Sequence, residues 1–185
     1  MVSIWPSSAS ISKIQVRTAF IFLAFALAIV PVVTAQARPA STFTLLYSFT
    51  GTSGAYPLAG LVIDSTGNVY GTTSEGGAYG EGTVFKVSAS GTETVLHSFK
   101  GGFSDGQFPI ASLVRDAAGV LYGTTTRGGL YGYGTVFKVA ENGEESLLYS
   151  FGKTASDGRY PSAGLVFGLD GDLYGTTQEG GASGF

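Results

Sequence analysis

The sequence predicts an all-β chain: β-propeller-like tandem four-stranded units of 52 residues, a fragment of fewer than three blades, after an N-terminal signal peptide. Three observations carry that prediction. VYGTT at 69–73 returns as LYGTT at 121–125 and again at 173–177, a step of 52 residues taken twice. Each step holds four short runs rich in β-branched and aromatic residues, separated by Gly, Asn, Asp and Ser. From residue 38 onward no stretch of eleven or more residues carries the apolar spacing of a helix.

The start of the chain is different in kind. All 29 glycines lie at or after Gly51. Lys13 and Arg17 form a positive segment, Ala19 to Val30 is an unbroken apolar run, and small residues follow to Ala35-Gln36-Ala37. That order is the order of a secretory signal peptide, with cleavage expected after Ala37 or, in competition, after Ala35. The run is shorter than the roughly 20 residues that cross a bilayer, so no membrane association is expected after cleavage. Residues 1–37 are thus expected to be a leader and 38–185 the tandem-repeat β domain, its third unit truncated. From Arg38 the chain has eight Lys and Arg against thirteen Asp and Glu, a net charge of −5. There is no basic footprint for nucleic acid. The absence of cysteine excludes a disulfide framework and thiolate chemistry.

Within the unit, the first run is Leu61 to Asp64, ended by Ser65-Thr66-Gly67-Asn68. The second is Val69 to Thr73, ended by Gly76-Gly77 and Gly80. The third, Thr83 to Val87, returns at 135–139, and the fourth, Thr94 to Phe99, has counterparts in LLYSF at 45–49 and 147–151. Apolar residues stand on both faces of the third run, Phe85 and Val87 on one and Val84 on the other, as in a sheet covered on both sides. Four strands, short hairpins and a longer crossing describe a propeller blade, with a β-solenoid or β-prism as the alternative. A closed propeller has four to eight blades, so further repeats are expected beyond Phe185. An isolated arc leaves edges open, and a 38–185 fragment is expected not to be stable as a monomer.

The pattern LYGTT-x-x-GG-x-x-G-x-GTVFKV, then G-x-x-x-x-L-x-SF, then DG-x-x-P-x-AGLV resembles the GloVer (Gloeo/Verruco) repeat of exported bacterial proteins that carry a choice of C-terminal anchors. In the second unit it rests on Leu121 to Thr125, Gly128, Gly129, Gly132 and Gly134 to Val139. Ser53 departs from Asp105 and Asp157, Ser112 from Gly60 and Gly164, and Gly168 from Asp64 and Asp116. The resemblance implies export and surface exposure and brings no catalytic activity. Kelch repeats share the Gly-Gly pair, but their tryptophan is missing from every unit.

No residue is assigned a catalytic, cofactor-binding or metal-ligating role, and no cofactor is expected. His97, the only histidine, stands where Tyr47 and Tyr149 stand in the other units, which reads as a packing slot rather than a general base. Asp105-Gly106, Asp157-Gly158 and Asp170-Gly171-Asp172 offer oxygen ligands for Ca²⁺, but Asp-Gly is also turn chemistry. Thr72-Thr73 and its copies read as cross-strand partners more readily than as a carbohydrate-binding ladder. Gly77 to Gly82 leads into a strand, which excludes a phosphate loop at a helix N-terminus. Tyr56, Phe108 and Tyr160, each before a proline, are loop aromatics able to meet a ligand or to pack between units. The expected function is an exported or cell-surface binding or scaffold module for an extracellular glycan or protein, not an enzyme. The alternative is a propeller-type carbohydrate-active lyase or glycosidase whose site is built from several blades.

Overall fold

The structure, a computed structural model, describes residues 10–15 and 42–184. The apolar run 19–30 and the Ala35-Gln36-Ala37 cleavage motif lie outside the described residues. Strand β1 (Ser10–Gln15) pairs antiparallel with β2 (Thr42–Ser48). The first complete unit follows as β3 (Val62–Ile63), β4 (Val69–Thr73), β5 (Thr83–Val87) and β6 (Glu93–Ser98), an antiparallel meander in chain order. A short strand β7 (Gly106–Gln107) lies in the crossing loop. The second meander is β8 (Val114–Arg115), β9 (Leu121–Thr125), β11 (Thr135–Val139) and β12 (Glu145–Ser150); β10 (Arg127–Gly128) leaves it to pair with β7. The pair β13 (Val166–Phe167) and β14 (Leu173–Tyr174) begins a third unit. The described residues are all-β, in several antiparallel sheets, none of them closed.

The four runs read from sequence become the four strands, with two adjustments. The first run is cut to Val62–Ile63 because Asp64 turns the chain: its carboxylate accepts the backbone N–H of Thr66 and of Asn68, both at 2.9 Å. The fourth starts one residue earlier and stops at Ser98. There Phe99, fully buried, sends its N–H to the Gly82 carbonyl at 3.0 Å instead of continuing the ladder.

Both faces of the central strands are covered. All of β4 is buried, as is β5 except Lys86. Tyr70, Val84 and Phe99 of the first unit pack in one cluster with Leu113, Leu121, Phe137 and Val139 of the second. The Phe99 and Phe137 rings meet edge-on at 5.0 Å, and Phe49 and Phe85 repeat the contact one step earlier at 4.9 Å. Successive sheets therefore stack face to face, each lending a phenylalanine to the next. Phe151, Leu148, Val136, Leu165 and Leu173 line an open cavity of about 510 Å³ beside the third unit.

Strand β1 is the element that sequence reading did not anticipate. Its register on β2 runs Ser10↔Ser48, Ile11↔Tyr47, an irregularity, then Ser12↔Leu45. Strand β5 meets β6 as Thr83↔Ser98, Val84↔His97, an irregularity, then Phe85↔Val95, and β11 meets β12 in the same way. SISKI thus stands, residue for residue, in the register of TVFKV. Ile11 is 3% exposed and packs with Phe49, Val69, Phe85 and Val87. Ile11, from the expected leader, thus joins the covering of the first unit.

Candidate functional site

Two places gather chemistry. The first is the end of the stack built by the second-to-third-strand hairpins and the crossing loops. These loops are tied together by backbone: Ala55 and Glu75 exchange hydrogen bonds, and Gly129 donates to Asp105 at 2.8 Å. Tyr56, Phe108 and Tyr160 sit there with φ of 54°, 55° and 55°, a left-handed conformation rare for aromatic residues. Tyr56 is 57% exposed, whereas Phe108 and Tyr160 are half-buried. Tyr160 packs on Tyr133 at 5.6 Å, and Arg159 lies 4.7 Å above the Tyr133 ring. The structure therefore splits the three loop aromatics, one facing solvent and two partly packed. It adds Tyr79 and Tyr131, one step apart in the hairpins and both exposed; their 52-residue recurrence was the available signal.

The second place is the junction between the outer strands of the two complete units. His97 is the penultimate residue of β6, and its Nε2 lies 3.2 Å from Oδ2 of Asp105, which is 4% exposed in the crossing loop. Asp105 also accepts the N–H of Lys100 at 2.8 Å and of Gly106 at 2.7 Å. Burial pulls its carboxyl upward, but His97 and those two N–H groups outweigh it and hold it below the usual range. The His97 ring also meets Phe99 edge-on at 4.8 Å. Tyr149 Oη donates to Asp157 at 2.9 Å, and Tyr47 Oη to Ser53 at 3.0 Å, so each unit latches its crossing loop from the same position.

Glu145, the first residue of β12, brings a third ligating group to within 4.8 Å of the other two. Sequence reasoning missed it, because nothing local links the start of one fourth strand to the end of the previous one. Its Oε1 is buried without a hydrogen-bond partner. Burial, reinforced by the Asp105 charge and opposed by His97, pushes its carboxyl up to about 6. One unit earlier the equivalent Glu93 stands beside Tyr47, and burial raises its carboxyl too.

The remaining sequence candidates have structural partners. Asp64, Asp116 and Asp170 accept the hydroxyls of Tyr70, Tyr122 and Tyr174 at 3.0, 3.0 and 3.1 Å. Asp170 does this from two residues further on, which compensates for Gly168. Ser112, another departure, accepts the Gly60 N–H across units at 2.9 Å. Asp157 accepts Gly152, Lys153 and Gly158 in its turn. Thr72 donates to the Ala111 carbonyl of the next unit at 3.3 Å, and Thr73 is fully buried, so neither presents a hydroxyl to a sugar.

The stacked sheets, repeating latches and repeated loop end define a repeat-built β protein in which each unit is completed by its neighbours. The family model of the Gloeobacter/Verrucomicrobia repeat matches residues 33–185. The chain belongs to that family. Among curated proteins, none matches the chain.

Proposed function

We propose that this chain is an exported, propeller-like binding module that engages an extracellular glycan through its loop end. The observation that carries the reading is the repeated exposure of Tyr79 and Tyr131 in equivalent hairpins, with Tyr56 in the adjoining crossing loop. Exposed aromatic rings on firmly hydrogen-bonded loops supply flat apolar contact with a polar tip, the chemistry that sugar rings accept. The propeller reading rests on meanders in chain order, burial on both faces and hydrogen bonds such as Thr124 to Ala163 between neighbouring units. Export rests on the charge pattern and small residues of 1–37. A carbohydrate-active enzyme would need an acid–base pair open to substrate. Among the described residues, the one histidine–carboxylate cluster lies between units.

The test is a glycan array probed with the full chain beside a Tyr56→Ala/Tyr79→Ala/Tyr131→Ala variant. Binding that the variant loses while its circular dichroism is unchanged supports the reading. Absence of any glycan signal, or binding only to a protein partner, overturns the glycan assignment. Export is tested separately by N-terminal sequencing of secreted protein, with Arg38 as the expected first residue and β1 removed with the leader.

A further inference from the structure

We propose that His97, Asp105 and Glu145 bind one divalent transition-metal cation, Zn²⁺ before others, as a clip between the two complete units. The donors are one imidazole nitrogen and two carboxylates, a set that suits Zn²⁺ or Mn²⁺ better than Ca²⁺, which favours all-oxygen sites.

The geometry is close to what such an ion needs. Two ligands about 2.1 Å from a common ion and about 90–110° apart stand about 3.0–3.4 Å from each other. His97 Nε2 and Asp105 Oδ2 are 3.2 Å apart. Asp105 is held in place by the Lys100 and Gly106 N–H groups, so this half of the site is already oriented. Glu145 completes the set from the neighbouring sheet, with a carboxylate oxygen within 4.8 Å of the other two ligand atoms.

The third ligand also has an open acceptor. Oε1 of Glu145 is shut from solvent and accepts no hydrogen bond. A buried carboxylate oxygen without a donor is costly, and a cation held by His97 and Asp105 would supply the missing partner.

The repeat contains its own control. At the preceding junction the same three positions are Tyr47, Ser53 and Glu93; Oε1 of Glu93 is also without a partner, so it is the His97–Asp105 pair beside the open oxygen that marks the site. That junction has one carboxylate, no imidazole and no second acid, so it cannot form the set. Tyr in the slot is compatible with the fold, as Tyr47 and Tyr149 show, each donating its hydroxyl to the crossing loop. His97→Tyr therefore removes a ligand and keeps the latch.

The clip joins β6, the crossing loop and β12, so its signature is stability rather than turnover. The experiment uses full-length, tag-free protein stripped with chelator, titrated calorimetrically with Zn²⁺, Mn²⁺ and Ca²⁺ and followed by thermal unfolding. One Zn²⁺ per chain is expected, with Tm raised by about 8 °C at a hundredfold excess over Kd. His97→Tyr and Glu145→Gln should fold, with metal-free Tm near that of the parent, and show neither binding nor shift. No Zn²⁺ binding by the parent overturns the proposal, as does a shift that persists undiminished in His97→Tyr. In those cases the cluster is a metal-free His–carboxylate latch.

Discussion

The hydroxyls of Thr73 and Thr83 lie 2.8 Å apart on a fully buried rung between β4 and β5, and Thr125 and Thr135 repeat the contact at 2.7 Å. The two partners are not equivalent. Thr125 gives its proton to the Arg127 carbonyl at 2.8 Å, so Thr135 is the donor of the shared bond. Thr125→Val strands both the Thr135 hydroxyl and the Arg127 carbonyl and should cost about 1–3 kcal/mol. Thr135→Val leaves Thr125 satisfied and should cost less than half as much. Urea unfolding of the two single variants checks the order, and equal losses would contradict the assigned direction of the bond.

Space beside the central glycines differs between units. A Cβ on Gly123 would stand 2.6 Å from Cζ of Phe137 and 2.8 Å from Cδ2 of Leu113, both buried. Gly123→Ala should therefore overpack the core and cost about 1–3 kcal/mol. At Gly71 the equivalent neighbours are Phe85 Cζ at 2.6 Å and Leu61 Cδ2 at 2.8 Å, but Leu61 is exposed and free to yield. Gly71→Ala should be milder. Parallel denaturant midpoints for the two variants decide this.

Acid should loosen the first hairpin of each unit. Burial raises Asp116, but the Val120 N–H and the Tyr122 hydroxyl outweigh it, and its carboxyl lies below the ordinary range. Asp64 is held low by Asn68, Thr66 and Tyr70, again against burial. With a folded pKa below the unfolded one, the stabilisation is complete above the unfolded value near 4 and fades as pH falls through the folded pKa. Asp116→Asn should lower Tm at pH 7, and the gap to the parent should narrow toward pH 2. A gap independent of pH would show that the charge is immaterial.

Removing the N-terminal strand should expose the first unit. Ile11→Asp places a charge in the cluster of Phe49, Val69, Phe85 and Val87. It should lower stability by several kcal/mol if the strand stays docked. A 38–185 fragment lacks β1 altogether and bares the edge of β2. It should self-associate at concentrations where the full chain does not, as light scattering would show. A strictly monomeric fragment with an unchanged Tm would mean that β1 adds nothing.

Much of the fold was legible because the repeat states it three times. A strand such as TVFKV is unmistakable when it recurs beside the same glycines. Strand β1 was illegible for the opposite reason. SISKI shares with TVFKV only its Lys and its β-branched positions, and Lys13 beside an apolar run reads as a leader. The His97–Asp105 latch was half visible, through Tyr47 and Tyr149 in the same slot. Glu145 was invisible because 40 residues and a change of sheet separate it from Asp105. Proximity of that kind comes from stacking, not from local pattern. The exposed Tyr79 and Tyr131 were present in the 52-residue step but hidden by the glycines around them.

The left-handed residues Tyr56, Phe108 and Tyr160 stiffen the loop end. A conformation of this kind costs about 1–3 kcal/mol at a non-glycine residue, and the surroundings hold it. Phe108 donates its N–H to Glu81 and accepts from both the N–H and the hydroxyl of Thr126; Tyr160 is clamped between Tyr133 and Gln178. The crossing loops are thus fastened before anything lands on them. A partner meeting this end would have little loop freedom to freeze. Its affinity would be set by shape match, and a poorly fitting ligand would be refused rather than accommodated.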